Sequence, residues 1–178
     1  MTTHPTPVLR HVLAALALCS ACAAGAATPA PGATLSTEKA EVSFRNPAGF
    51  TEMNRSFAGA RTDWLDDLSR YVAKRAARTV PTGERLLVTI TDVQRAGMVE
   101  PWHRASTDLR VVRDTTPPRI DLSFQLVNAN GAVLKEGSRQ LRDINFLSRN
   151  GLRRDEPLSY EKNLIDDWMR KDLGSPLR

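Results

Sequence analysis

Apolar and polar residues alternate most clearly from Ile120 onwards. Ile120, Leu122, Phe124 and Leu126 fall on one face, Asp121, Ser123 and Gln125 on the other, and only Val127 breaks the order. A period of two with one apolar side predicts a half-buried antiparallel strand. Asn128-Ala129-Asn130-Gly131 follows, a run that tolerates positive φ, so the chain is predicted to fold back as a hairpin. In the returning stretch, Ala132 to Leu141, Leu134 and Leu141 differ in parity, and a bulge at Gly137 would bring both to one side. Three more strands are predicted: Ala40 to Phe44, Leu86 to Val93, and the short β-branched run Leu109 to Val112.

Two stretches change period. From about Thr51 or Asn54, the residues Phe57, Trp64, Leu65, Leu68, Tyr71 and Val72 recur at three- and four-residue spacing, the stripe of a helix that Pro81 and Gly83 terminate. Asp63, Asp66 and Asp67 precede Lys74, Arg75 and Arg78, the charge order a helix dipole favours, and Asp66 and Arg70 stand at i,i+4. Asp155 is predicted to cap a last helix, with Pro157 in its first turn. That helix buries Leu158, Leu164, Ile165, Trp168 and Met169, pairs Asp166 with Arg170 and Asp167 with Lys171, and stops at Gly174 and Pro176. The order β-α-β-β-β-β-α predicts an α+β two-layer sandwich: a mainly antiparallel sheet of four to five strands with both helices on one face. Asp121, Ser123 and Gln125 would then line the uncovered face.

The first 27 residues change the picture of where this domain resides. Arg10 and His11 precede the apolar run Val12 to Leu18, and Ala24-Gly25-Ala26-Ala27 offers small-residue cleavage positions, the pattern of a secretory signal. The apolar run is too short to span a bilayer. Residues 28–39, rich in Pro, Ala and Thr, read as a flexible lead-in, 40–174 as a single globular domain and 175–178 as a tail. Cys19 and Cys22 both lie in the signal, so cleavage leaves a chain without cysteine that needs no disulfide. A lipid-anchored form would use Cys22, but the residues before it lack the usual leucine three positions upstream. The net charge of +5 becomes +4 when Arg10 is removed, since no acidic residue precedes Glu38. In an exported protein this excess points away from nucleic acid and towards an envelope protein or an anionic polymer.

Several motifs together carry a family resemblance. They are Val42-Ser43-Phe44-Arg45-Asn46-Pro47 with Phe50, Thr89-Ile90-Thr91-Asp92-Val93 with Ala96-Gly97, and Glu100-Pro101-Trp102. Arg113-Asp114 through Pro117-Pro118-Arg119-Ile120-Asp121-Leu122 and Leu141-Arg142-Asp143-Ile144-Asn145-Phe146 follow, then Tyr160-Glu161-Lys162 with Asp166-Asp167-Trp168. In this combination the chain resembles the exported proteobacterial domain-of-unknown-function 3016 family. The resemblance implies export and a single domain, and brings no activity, ligand or catalytic residue with it.

The residues themselves offer little catalytic chemistry. Beyond the signal there is one histidine, His103, and no cysteine, so the usual zinc sets cannot be assembled, and no Asp-rich loop has calcium-ligand spacing. No cofactor or metal is expected. A serine triad would have to recruit His103, and no Gly-x-Ser-x-Gly elbow or phosphate-binding glycine loop occurs. Glu100, Asp114, Asp121 and Asp143 lie in or beside loops, and two carboxylates of separated pKa perform glycoside hydrolysis. Arg113, Arg119 and Arg142 adjoin them, however, and charge-assisted pairs that fix loops account for the same residues. Trp102 reads equally as a binding aromatic or as a core residue. The expectation is a non-enzymatic module of the cell envelope that binds through its open sheet face or through the Trp102/Pro117-Pro118 end. The candidate binding residues are Glu100, Trp102, Arg113, Asp114, Arg119, Asp121 and Asp143. The alternatives are a carboxylate-based hydrolase of cell-wall glycan and a periplasmic small-molecule carrier.

Overall fold

The computed structural model describes residues 34–55, 62–100, 110–149 and 156–174. The secretory segment, both cysteines, Phe57, Trp102, His103 and Asp155 lie outside them. Five strands form the main sheet: β1 (Leu35–Ser36), β2 (Ala40–Phe44), β3 (Glu84–Gln94), β6 (Arg119–Asn128) and β7 (Val133–Arg142), side by side in that order. Between β3 and β6, β4 (Met98–Val99) and β5 (Arg110–Val111) pair as a separate two-stranded ribbon. The helices are α1 (Thr51–Arg55), α2 (Asp63–Thr79), α3 (Phe146–Arg149) and α4 (Ser159–Asp172).

The α+β two-layer architecture agrees with the pattern of the sequence. Ala40, Val42, Phe44, Leu86, Val88, Ile90, Val93, Ile120, Leu122 and Phe124 are buried on one side of the sheet. Against them lie Trp64, Leu65, Leu68, Val72 and Ala76 of α2 and Leu164, Ile165, Trp168 and Met169 of α4. The two long helices pack on each other as well as on the strands, so both shield the same face. Trp168 meets Phe124 edge to face, with ring centroids 5.4 Å apart. Among the described residues, no helix is long and apolar enough to cross a membrane.

Four details differ from the sequence expectation. The sheet is not wholly antiparallel: β2 and β3 run parallel, because α2 carries the chain back to the starting edge between them. The run Leu109 to Val112 contributes not to the main sheet but to the β4–β5 ribbon, and the fifth sheet strand is instead Leu35–Ser36, inside the stretch read as lead-in. The hairpin bulge lies not at Gly137 but at Leu134, which has no partner between Leu126↔Lys135 and Val127↔Val133. Gly137 sits directly opposite Phe124, where an added Cβ would come within 3.4 Å of that ring and 2.8 Å of the Arg139 guanidinium. It is needed for close packing, not for a change of register. As a result, Lys135 and Arg139 of β7 point towards the helix layer, where both engage Asp172 at the end of α4. Finally, the helix acids look across, not along, their helices. Asp166 accepts from the Tyr71 hydroxyl (2.8 Å) and pairs with Arg75 (3.0 Å), Asp167 takes Arg149 and Arg170, and Arg70 bonds Asp67 instead of Asp66. Two helices packed side by side put a cross-helix cation closer than the next turn of the same helix.

Candidate functional site

The face of the sheet turned away from the helices carries a row of hydroxyls. Ser43, Thr89, Ser123 and Ser138 are register partners on four successive strands, β2, β3, β6 and β7. Period-two geometry places them on one line across the sheet, and Ser43 Oγ lies 3.2 Å from Thr89 Oγ1. Glu41, Leu87, Gln125 and Glu136 form the adjoining row, and Asp92, Asp121 and Gln140 lie on the other side. Two neighbouring open hollows share Ser123 and Ser138. One of about 360 Å³ runs towards Gln125 and Glu136, and one of about 410 Å³ runs towards Asp121, Gln140 and Arg45.

One end of this face is organised by a bulge. Thr91 has no partner between Ile90↔Leu122 and Asp92↔Asp121, and its hydroxyl donates to the Asp121 carbonyl (3.1 Å). The extra residue returns Val93 to the core and leaves Asp92 beside Asp121 on the open side. Asp92 accepts from the Thr51 amide (2.6 Å) and hydroxyl (2.7 Å) and from the Arg119 guanidinium. Burial alone would raise its carboxyl, but the Thr51 bonds and Arg119 outweigh that and hold it below the usual range. Arg119 also lies 3.9 Å from Asp121. The Arg119 Nε and one Asp121 carboxylate oxygen are buried without a hydrogen-bond partner.

A second polar group is sunk where the ribbon meets both helical termini. Glu52 of α1, Glu100 and Glu161 of α4 are all buried. Glu52 accepts from the Arg95 amide (3.1 Å) and the Arg110 guanidinium, and Glu161 accepts from the Ala96 amide (2.7 Å). Arg110 also donates to the carbonyls of Ala96 (3.1 Å) and Gly97 (2.9 Å), while Arg95 lies over the Trp64 ring at 5.6 Å. Gly97 has φ of 72°, and a Cβ there would lie 2.4 Å from the Val111 carbonyl oxygen, so only glycine lets the ribbon close. These contacts bind α1, the end of β3, the ribbon and α4 into one unit.

The expected binding residues therefore fall into separate groups. Arg119 and Asp121 are together on the open face. Glu100 pairs with Arg113, and Asp143 pairs with Arg149 (3.0 Å) and caps the Asn145 amide (2.9 Å), each away from that pair's partners. Asp114 is exposed in a turn, Arg142 has no ion-pair partner among the described residues, and the Pro117 carbonyl is taken by Gln94 (2.9 Å). Trp102 lies outside the described residues. Among them, no three of His, Cys, Asp or Glu gather as a metal site would require.

A model of one protein family, described as a protein of unknown function (DUF3016), matches residues 38–171. The chain belongs to this family. The match runs from just before β2 almost to the end of α4, and so takes in both polar groups. No curated protein and no solved structure matches the chain.

Sequence reasoning passed over Asp92, Glu52 and Glu161. Asp92 reads as the last polar position of a strand, and its exposure depends on the Thr91 bulge. Glu52 and Glu161 read as solvated helix charges, and their burial depends on arginines far along the chain. Glu161 yields a pH-dependent prediction. Burial pushes its carboxyl up, against the lowering effect of the Ala96 and Glu161 amides, Arg95 and Arg110. A raised folded value means stability that is fully present below the unfolded pKa and lost as pH rises through the folded one. Glu161→Gln is therefore expected to match the parent in acid and to become the more stable form above that window, read as urea midpoints across a pH series. A difference that does not change with pH would contradict this.

Proposed function

We propose that this family member is an exported, non-enzymatic binding module of the bacterial cell envelope, with the open sheet face as its recognition surface. The hydroxyl row Ser43-Thr89-Ser123-Ser138 carries the reading. It spans four strands, is flanked by amides and carboxylates, and lies in two joined hollows that no described helix covers. Such a surface offers a line of donors and acceptors to an extended polar chain, the chemistry of an envelope polymer or of a peptide backbone. The unpartnered Asp121 oxygen and Arg119 Nε at one end add an anchoring point. The secretory pattern of the first 27 residues supports the location. The hydrolase reading gains less, since Glu100, Asp121 and Asp143 each stand beside a different arginine.

The test is photo-crosslinking in intact bacteria, with the full chain carrying a photoreactive residue at Ser138, at Gln125, or at the exposed α2 position Lys74. The open-face positions are expected to give a discrete adduct with an envelope polymer or protein on the leader-cleaved chain, and Lys74 none. No adduct from Ser138 and Gln125, the same adduct from Lys74, or an uncleaved cytoplasmic chain would each count against the proposal.

A further inference from the structure

On the other side of the sheet, a cleft of about 380 Å³ opens between β7 and the second half of α4. Trp168 lines it. This residue is only 2% exposed, and its indole Nε1–H is buried with no hydrogen-bond partner. Buried tryptophans ordinarily place that donor on an acceptor, so an orphan at the floor of a polar cleft calls for one.

The cleft's own acceptors are already engaged. Asp143 and Asp167 hold Arg149, at 3.0 and 2.8 Å, and Asp172 holds Arg139 through two bonds of 2.8 and 2.9 Å. Arg139 raises no demand of its own, lying over the Phe124 ring at 5.4 Å with its charge matched by Asp172. What remains uncommitted is cationic: Arg142 and Lys171, both exposed on the cleft lining, have no ion-pair partner among the described residues. The unfilled groups are thus all donors, one dry at the floor and two charged at the rim. We propose that the cleft between β7 and α4 binds an oxyanion group, a carboxylate or a phosphate, seated on the Trp168 indole N–H and flanked by Arg142 and Lys171. The guanidinium offers a planar fork to two oxygens of the anion and the ammonium a point charge. This site is separate from the open face, and its outcome is independent of that reading.

Indole N–H resonances of the full-length protein test it directly. The Trp168 resonance, identified by its loss in Trp168→Phe, should shift saturably on titration with inorganic phosphate or with acetate, and not with chloride at matched ionic strength. Saturation by phosphate alone assigns a phosphoryl ligand, and saturation by acetate a carboxylate. Arg142→Ala with Lys171→Ala, both surface changes, should weaken the response about tenfold or more. A Trp168 resonance that does not move, that moves equally with chloride, or that responds undiminished in the double variant would overturn the proposal.

Discussion

Replacing Arg110 with methionine is expected to lower stability by about 3–5 kcal/mol, the cost of leaving a buried ionic partner uncompensated. The side chains of Glu52 and Arg110 are only 5% and 18% exposed, so neither is screened well by water when the other is removed. Arg110 also satisfies two carbonyls at the Ala96-Gly97 turn and is one of two cations near Glu161. A loss of this size would consume a large part of the 5–15 kcal/mol that typically separates folded from unfolded states. Urea denaturation of the purified chain measures it. Arg70→Met is the comparison: its partner Asp67 and Arg70 itself are about half exposed or more, and the change should stay within about 0.5 kcal/mol. If both variants unfold at the same midpoint, the Glu52–Arg110 pair is not the fastening described. Removing both partners, with methionine at positions 52 and 110, should recover part of the loss, because an apolar pair carries no stranded charge.

Trp168→Ala is expected to be comparably severe, at about 3–5 kcal/mol. The ring is the wedge between α4 and the central strand β6, packed edge to face on Phe124. Truncation would leave a cavity flanked by Phe124, Leu164 and Ile165 that the paired helices cannot close without giving up their contacts with the sheet. A double-mutant cycle with Phe124→Leu should return a coupling of about 0.5–1.5 kcal/mol for the ring pair. Additive losses would place the two residues in independent environments, contrary to their geometry. Trp168→Phe should be far milder, which separates the packing role of the ring from the donor role of its N–H.

The layers of the fold were legible because both periods were strong. Ile120, Leu122 and Phe124 alternate without interruption, and Trp64, Leu65, Leu68 and Val72 repeat at helical spacing, so which side meets which follows from the chain alone. The parallel β2–β3 pair was also implicit, in the strand–helix–strand order of residues 40–94, although the hairpin after Asn128 draws attention to antiparallel pairing. Irregularities were not legible. A bulge adds one residue to one strand, and whether it falls at Thr91, Leu134 or Gly137 depends on the partner strand's register, which no local pattern encodes. The two-residue strands Met98–Val99 and Arg110–Val111 are too short to have a period at all. The site divides in the same way. Asp121 and Ser123 could be put on an open face from alternation, whereas the line they form with Ser43, Thr89 and Ser138 is a property of four aligned strands. Glu52 and Glu161 were hidden for the opposite reason, since a glutamate on a helix looks solvated until something distant covers it.

The outermost strand, β7, bears on whether this sheet can recruit more of itself. Ten residues of backbone border one long free margin, a geometry that invites templated growth into fibrils. Yet Lys135 and Arg139 stand on its inner side, tethered to Asp172, and the kink at Leu134 skews the margin near the hairpin tip. An intruding strand would have to lay its apolar residues against an ammonium and a guanidinium. The chain thus guards its margin with charge, where other folds use a covering helix, and so keeps the surface open without making it adhesive.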